Sequence, residues 1–148
     1  MKIRIELDDG LDDVEVVIKT ARLTDQVDQL QQLLSKMNQP SLVFYKDASE
    51  YFVKLEDILF FETDGAKIFA HSRTDAYEVK LKLYELEEVL PITFCRISKS
   101  SIANVKLVYS LDKSFSGTSR IRFADTHKVV HVSRHYYQLL KERLQELR

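Results

Sequence analysis

The residues with the most chemistry to offer are Ser98-Lys99-Ser100-Ser101, set between the apolar runs "TFCRI" and "IANVKLVYSL". Three hydroxyls around one lysine, with no glycine or proline to make a turn, form a cationic elbow between two strands. Lysines and hydroxyls are common donors to the phosphate oxygens of nucleic acids, and Arg96 and Lys106 flank the elbow in the chain. Taken alone, the elbow also reads as a polar strand crossing with one exposed lysine. A second candidate is "HVSRHYY". Ser133 is a natural N-cap and Val132 can staple to Tyr137, which places Arg134 and His135 in the first turn of a helix. Cations there oppose the helix dipole by ~0.3–1 kcal/mol. A bound anion would offset that cost; simple tolerance of an exposed arginine is the alternative. A third is the hairpin tip Asp64-Gly65-Ala66-Lys67, which offers Lys67 at a protruding end.

Other constellations lead nowhere. The chain contains no G-x-S-x-G, H-E-x-x-H, Walker or G-x-G-x-x-G pattern. Four aspartates surround Gly10, but a calcium loop turning on that glycine would need oxygen ligands at Ile5 and Leu7. His127, His131 and His135 are spaced by four yet straddle a turn, a strand and a helix start. Cys95 alternates with Ile97 on a strand face, as a buried structural thiol does. Glu85, Glu87 and Glu88 fit the solvated face of a short helix. No catalytic or metal-binding set emerges, and the expectation is a protein that is not an enzyme and holds no cofactor.

The elements that must position the cationic sites read as mainly β. "KIRIEL" and "VEVVIK" alternate around an acidic "DDGLDD", predicting an N-terminal hairpin. Leu23, Val27, Leu30, Leu34 and Met37 form an apolar seam on a helix that Thr24 caps and Pro40 closes. Packing on its own domain is the first use for that seam, and dimerisation the second. "LVFYK", "EYFVKL", "DILFFET", "KIFAHS" and "AYEVKL" follow as strands, with Asp64-Gly65 a strong hairpin signal. Leu83, Leu86 and Leu90 mark a short helix stopped by Pro91. "TFCRIS", "IANVKLVYSL", "SRIRF" and "KVVHV" return to strand. Tyr137, Leu140, Leu144 and Leu147 stripe a C-terminal helix. The fold class is α+β, mainly β, with residues 1–40 as an N-terminal hairpin-and-helix segment and 41–148 as the main domain.

At 148 residues with a single cysteine, the chain has the length of one domain without an internal disulfide. It shows neither a signal peptide nor an apolar run of the ~20 residues a membrane span needs, so a cytoplasmic location is expected. The formal net charge of -1 conceals a split. Residues 1–91 carry 11 Lys+Arg against 19 Asp+Glu, and residues 92–148 carry 11 against 4. A basic part of this kind suits a polyanion, although charge dispersed over a folded surface would give the same totals.

Three stretches together carry a family likeness: "LEDILFFETDGAKIFAH", "YELEEVLPITFCRISKSSIANVKLV" and "VHVSRHYYQLLKERL". From about Val53 to the C-terminus the chain resembles the LytTR DNA-binding domain, and as a whole it is similar to stand-alone bacterial LytTR regulators that lack a receiver domain. The resemblance implies elongated antiparallel sheets that present loops to double-stranded DNA at repeated half-sites. Its contact positions fall on Lys99 and Arg134, with Ala66 and Lys67 at the hairpin tip. Ser100, Ser101, Arg96 and His135 support them. The family often has His-Arg-Ser where this chain has Ser98-Lys99-Ser100. Asn104 matches a family asparagine that bonds a neighbouring loop. The likeness further implies transcription regulation, a homodimer, and a small membrane protein encoded nearby as regulator. The competing reading is a protein-interaction module that works through the N-terminal amphipathic helix. Salt dependence separates the two, because only DNA affinity falls steeply with ionic strength.

Overall fold

The computed structural model describes residues 1–37, 42–114 and 118–148. Pro40, expected to end the first helix, and the boundary after residue 40 lie outside the described residues. Ten strands follow helix α1 (Asp25–Met37): β1 (Phe44–Lys46), β2 (Ser49–Tyr51), β3 (Phe60–Asp64), β4 (Lys67–His71), β5 (Ala76–Val79), β6 (Phe94–Ser98), β7 (Ser101–Asn104), β8 (Val108–Lys113), β9 (Ser119–Phe123) and β10 (Val129–Val132). Helix α2 (Leu83–Val89) separates β5 from β6, and α3 (Arg134–Leu147) ends the chain. The strands form an antiparallel seven-stranded sheet in the order β2-β1-β5-β4-β3-β7-β6 and a three-stranded sheet in the order β10-β9-β8. This is the mainly-β α+β architecture expected from the sequence.

Alternation within the strands sorts side chains into two cores. Phe61, Ile68, Phe94 and Ile102 pack on one face of the large sheet with Leu83, Leu86 and Leu90 of the α2 region. Phe60, Cys95, Ile97 and Ala103 point the other way, onto Ile121, Phe123 and Val130 of the small sheet and Leu140 of α3. Each successive residue of β3 and β7 therefore serves a different core, as the period of two dictates. The α3 stripe is buried as its spacing predicted, with Leu140 and Leu147 inside and Tyr137 and Leu144 packed at the edge. Cys95 is buried, and burial pushes its thiol above the ordinary value.

Besides "EYFVKL", whose strand ends at Tyr51 ahead of a 3-10 turn at Leu55–Asp57, two expectations need correction. "IANVKLVYSL" is not one strand: a 3-10 turn at Val105–Leu107 splits it into β7 and β8. Asn104 makes the break. Its Oδ1 accepts the N–H of Lys106 at 3.2 Å, while its Nδ2 donates to the Ile58 carbonyl at 3.0 Å. The chain thereby leaves the large sheet and enters the small one. The second correction is at the front, where residues 1–22 turn at Asp9-Gly10 but carry no strand. Charge explains why the hairpin does not zip. In the register set by that turn, Glu6 would face Asp13 and Leu7 would face Asp12. Matching the apolar residues instead would oppose Lys2 to Lys19 and Glu6 to Glu15, and like charges directly across a ladder are destabilising. A lone two-stranded hairpin has little else to hold it.

A polar joint ties the β4–β5 turn to the small sheet. Lys128 Nζ donates to the carbonyls of Ser72 (2.7 Å) and Asp75 (2.9 Å) and lies 3.5 Å from His71 Nδ1. Arg73 Nε donates to the Ala124 carbonyl at 3.0 Å, and Thr126 Oγ1 returns a bond to the Arg73 carbonyl. His71 stacks on Phe60 with ring centroids 4.4 Å apart. Burial, and then the Lys128 charge, hold its pKa down to about 4. The ring is therefore neutral at pH 7, and the 3.1 Å approach of its Nε2 to Glu62 lies off the hydrogen-bond line and is not an ion pair.

Two stability predictions follow from these contacts. The unfolded chain protonates His71 near its ordinary 6.5 and the folded chain only near 4. The contribution is thus complete above 6.5 and is lost as pH falls through that window. With the side chain 17% exposed, the loss is up to about 3 kcal/mol at 1.36 kcal/mol per unit. Glu62 offsets part of it, because burial and the Asp64 charge raise its carboxyl. Thermal melts should show a lower midpoint at pH 5 than at pH 7.5, and His71→Phe should flatten the difference. Asn104→Ala should cost about 1–3 kcal/mol in urea unfolding, since it leaves the Ile58 carbonyl and the Lys106 N–H without their partner.

Candidate nucleic-acid interface

The elbow is the corner of the β6–β7 hairpin. Ser98 pairs with Ser101, leaving Lys99 and Ser100 as a two-residue turn. Neither corner residue has a positive φ, so the primed turns that close short hairpins are not available. Side chains and a bulge close it instead. The register shifts between Arg96 and Ser98, and Ser98 Oγ accepts the Ser100 N–H at 3.2 Å. Arg96 braces the corner from beneath, donating from Nε to the Ser98 carbonyl (2.6 Å) and from Nη2 to the Lys99 carbonyl (2.5 Å). Its remaining fork engages Glu87 of α2. Lys99 and Ser100 are exposed, whereas Ser98 and Ser101 are buried.

The hairpin tip uses a different device. Asp64 pairs with Lys67, and Gly65 sits at φ +63° in the first central position, the II′ pattern that glycine permits. Ala66 and Lys67 are exposed at the turn, with Lys67 Nζ 3.4 Å from Glu78.

At the start of α3, Ser133 occupies the N-cap position with extended φ and ψ, yet its hydroxyl makes no capping bond and is buried without a partner among the described residues. Its backbone N–H instead donates to the Ile97 carbonyl at 2.9 Å, fixing the helix start against the elbow. Arg134 and His135 are exposed in the first turn, and the His135 ring meets Tyr136 edge-on at 4.8 Å.

Register gathers these turns at one end of the molecule. Glu62 faces Ser101 across β3 and β7, and the Thr63 N–H donates to the Ser100 carbonyl at 2.9 Å, so the tip projects beside the elbow. Val132 pairs with Ser119, and Ser119 with Lys113, which brings the end of β8 to the same edge. Lys113 Nζ lies 5.6 Å from the centre of the Tyr137 ring, within cation–π reach. The exposed face of the small sheet continues this surface with Arg120, Arg122 and His131. Arg122 is engaged by Asp112 (2.9 Å) and Ser110 Oγ (3.1 Å).

Sequence reasoning did not single out Lys113 or Arg120. The alternation of "SRIRF" could have placed Arg120 and Arg122 outward, but Lys113 is near the edge only through strand pairing. Lys106, counted beside the elbow from its place in the chain, is not there. It lies past the opposite end of β7, in the 3-10 turn that follows Asn104. There its Nζ donates to the Leu147 carbonyl at 2.7 Å and approaches Asp25 (3.4 Å) and Asp28 (3.8 Å) of α1. Of the three glutamates, Glu85 caps its own helix at the Lys82 N–H and Glu87 holds Arg96.

Comparison with known proteins identifies relatives of the chain and of its fold. A protein named as an uncharacterized HTH-type transcriptional regulator from Staphylococcus aureus (strain bovine RF122 / ET3-1) is 29% identical over 145 residues, covering 97% of this chain and 98% of its own. A protein of the same description from Staphylococcus aureus (strain NCTC 8325 / PS 47) is 28% identical over the same length. Among the described residues, strands separate the three α-helices from one another. The fold matches the LytTr DNA-binding domain of a putative methyl-accepting/DNA response regulator from Bacillus cereus, with a TM-score of 0.64, 22% identity, and coverage of 72% of this chain and 98% of the other. The family model for the LytTr DNA-binding domain matches residues 48–145, two-thirds of the sequence and the whole of the cationic edge, and the chain belongs to the LytTR family of DNA-binding domains.

Proposed function

We propose that this chain is a transcription regulator that binds double-stranded DNA sequence-specifically through loops, as two copies on repeated half-sites. The observation that carries the reading is the convergence of cationic turns from distant parts of the chain, 65–67, 99–100 and 133–135, on one end of a rigid β frame. Lys99 and Arg134 make the chief side-chain contacts. Lys67 and Ser100 support them, Ala66 offers backbone, and His135 adds a donor in the first turn of α3. A phosphate at that turn relieves the conflict between its cations and the helix dipole. Lysine at position 99 binds phosphate or guanine without the two-pronged fork of arginine. Arg96 and Ser101 shape the elbow from inside. The regulator works without catalysis, and a partner acting on residues 1–40, such as a small membrane protein encoded nearby, supplies its control input.

The open groove between α1 and residues 13–20 favours one second reading, a protein-interaction module that uses the N-terminal helix. Fluorescence anisotropy of duplex from the chain's own upstream region, against a scrambled duplex and across salt, separates the two. Tight, sequence-dependent binding that weakens steeply with salt supports the regulator; absence of binding at low salt overturns it. Arg134→Ala should weaken specific binding roughly tenfold or more, and Lys99→Ala should lower the salt slope by about 1 if it meets a phosphate. Arg96→Ala should weaken binding and lower the melting temperature while leaving the salt slope unchanged, because its donors serve the elbow carbonyls.

A further inference from the structure

The N-terminal arm and α1 leave apolar surface that this chain does not cover. Ile3, Ile5 and Leu7 are 83%, 84% and 96% exposed. They alternate with Lys2, Arg4, Glu6 and Asp8, so the arm has one apolar and one charged face. Helix α1 is fastened to the domain by polar links. Gln31 Oε1 accepts the Ile92 N–H at 2.7 Å, and Lys106 approaches Asp25 and Asp28. The apolar seam is consequently not used up: Leu23, Val27, Leu34 and Met37 open into a groove of about 640 Å³ whose other wall is Val14, Val16 and Ile18.

The charge pattern identifies what fits. The arm opposes itself badly within one chain, as shown above, but it is complementary to a second copy of itself. Antiparallel pairing about a two-fold axis at Ile5 sets Lys2 opposite the partner's Asp8, Arg4 opposite the partner's Glu6, and Ile3 opposite the partner's Leu7. Every charged residue of the segment meets its opposite, and all the apolar residues fall on one face. Arg4 and Glu6 already lie on a common face of the arm, 2.8 Å apart in an ion pair, so each pair can be shared across the axis. We infer that residues 2–8 pair as an antiparallel ribbon with the same residues of a second copy, and that the apolar face of the ribbon covers the α1 grooves of both.

Such an isologous contact closes as a dimer. Each apolar side chain hides on the order of 100 Å². The seven that are exposed, Ile3, Ile5, Leu7, Val14, Val16, Ile18 and Met37, therefore supply roughly 700 Å² per copy, near the ~800 Å² per partner of a stable interface. The inference is independent of DNA binding, since it uses only residues remote from the cationic edge.

Sedimentation velocity of the full chain at 1–100 µM tests it. The wild type should be a dimer. Ile5→Asp should be monomeric, and Arg4→Glu should weaken dimerisation at least roughly tenfold by setting glutamates opposite each other twice. The double reversal Arg4→Glu/Glu6→Arg should restore it. These residues are exposed in the single copy, so the single variants should still unfold cooperatively, and the melting temperature of Ile5→Asp, unlike that of the dimeric wild type, should not change with protein concentration. Ile5→Cys, placed on the two-fold axis, should give disulfide-linked dimers on mild oxidation, because facing strand residues have the Cα separation a disulfide needs and Cys95 is buried. A wild type monomeric at 100 µM overturns the inference and leaves the groove to a different protein. A dimer that survives Ile5→Asp, or a double reversal that fails to restore association, overturns the arm as its interface.

Discussion

The architecture depends on the Asn104 side chain, which holds the point where the chain passes from one sheet to the other. Its amide donates to the Ile58 carbonyl before β3, and its oxygen starts the 3-10 turn that redirects the backbone into β8. The bond to Ile58 is buried and the bond from Lys106 partly so, and an unpaired donor or acceptor there is expensive. The consequence is that β6 and β7 belong to two cores at once. Ile102 and Phe94 serve the α2 side, and Ile97 and Ala103 serve the α3 side. A hairpin held by packing on both faces has a fixed corner, and that corner is the elbow.

The elbow shows how the chain obtains a rigid cationic turn from residues without turn propensity. Glycine at the corner would have given the primed turn cheaply, as Gly65 does at the neighbouring tip. Lys99 and Ser100 leave the corner to be held from inside by Arg96 and Ser98, with Glu87 fixing the arginine in turn. Arg96 and Lys99 thus divide the work between them. One cation is spent on shape and is largely covered, and the other stays at the surface.

Much of this was legible in the sequence. Alternation located the strands of the large sheet, the leucine spacing found α2 and α3, and Asp64-Gly65 marked its hairpin. The three short stretches pointed to the right family. What the sequence hid is what tertiary pairing decides. Lys106 and Lys99 are seven positions apart in the chain but sit past opposite ends of β7. The split of "IANVKLVYSL" turns on one asparagine side chain in an otherwise continuous apolar run. The front hairpin had the right alternation, but its cross-strand charges were set against it. Ser133 had the right type for a cap, but its hydroxyl is turned inward, so residue type alone did not predict the bond.

Helix α3 is the element through which the two ends of the molecule meet. Its first residue is Arg134, pinned near the elbow by the bond from Ser133 to Ile97, and its last carbonyl, at Leu147, receives the Lys106 ammonium that also approaches α1. The 14 residues between span ~21 Å, and Leu140 at the middle is fully buried in the core that the small sheet shares with β6 and β7. An element anchored in this way moves as a unit or not at all. Lys106 is thus the link between α1 and the last turn of α3. The polar character of the α1 attachment, with Asp25, Asp28 and Gln31 in place of a packed apolar seam, makes that contact easier to rearrange than either core, and it puts the adjustable joint of the molecule at the end opposite its cationic edge.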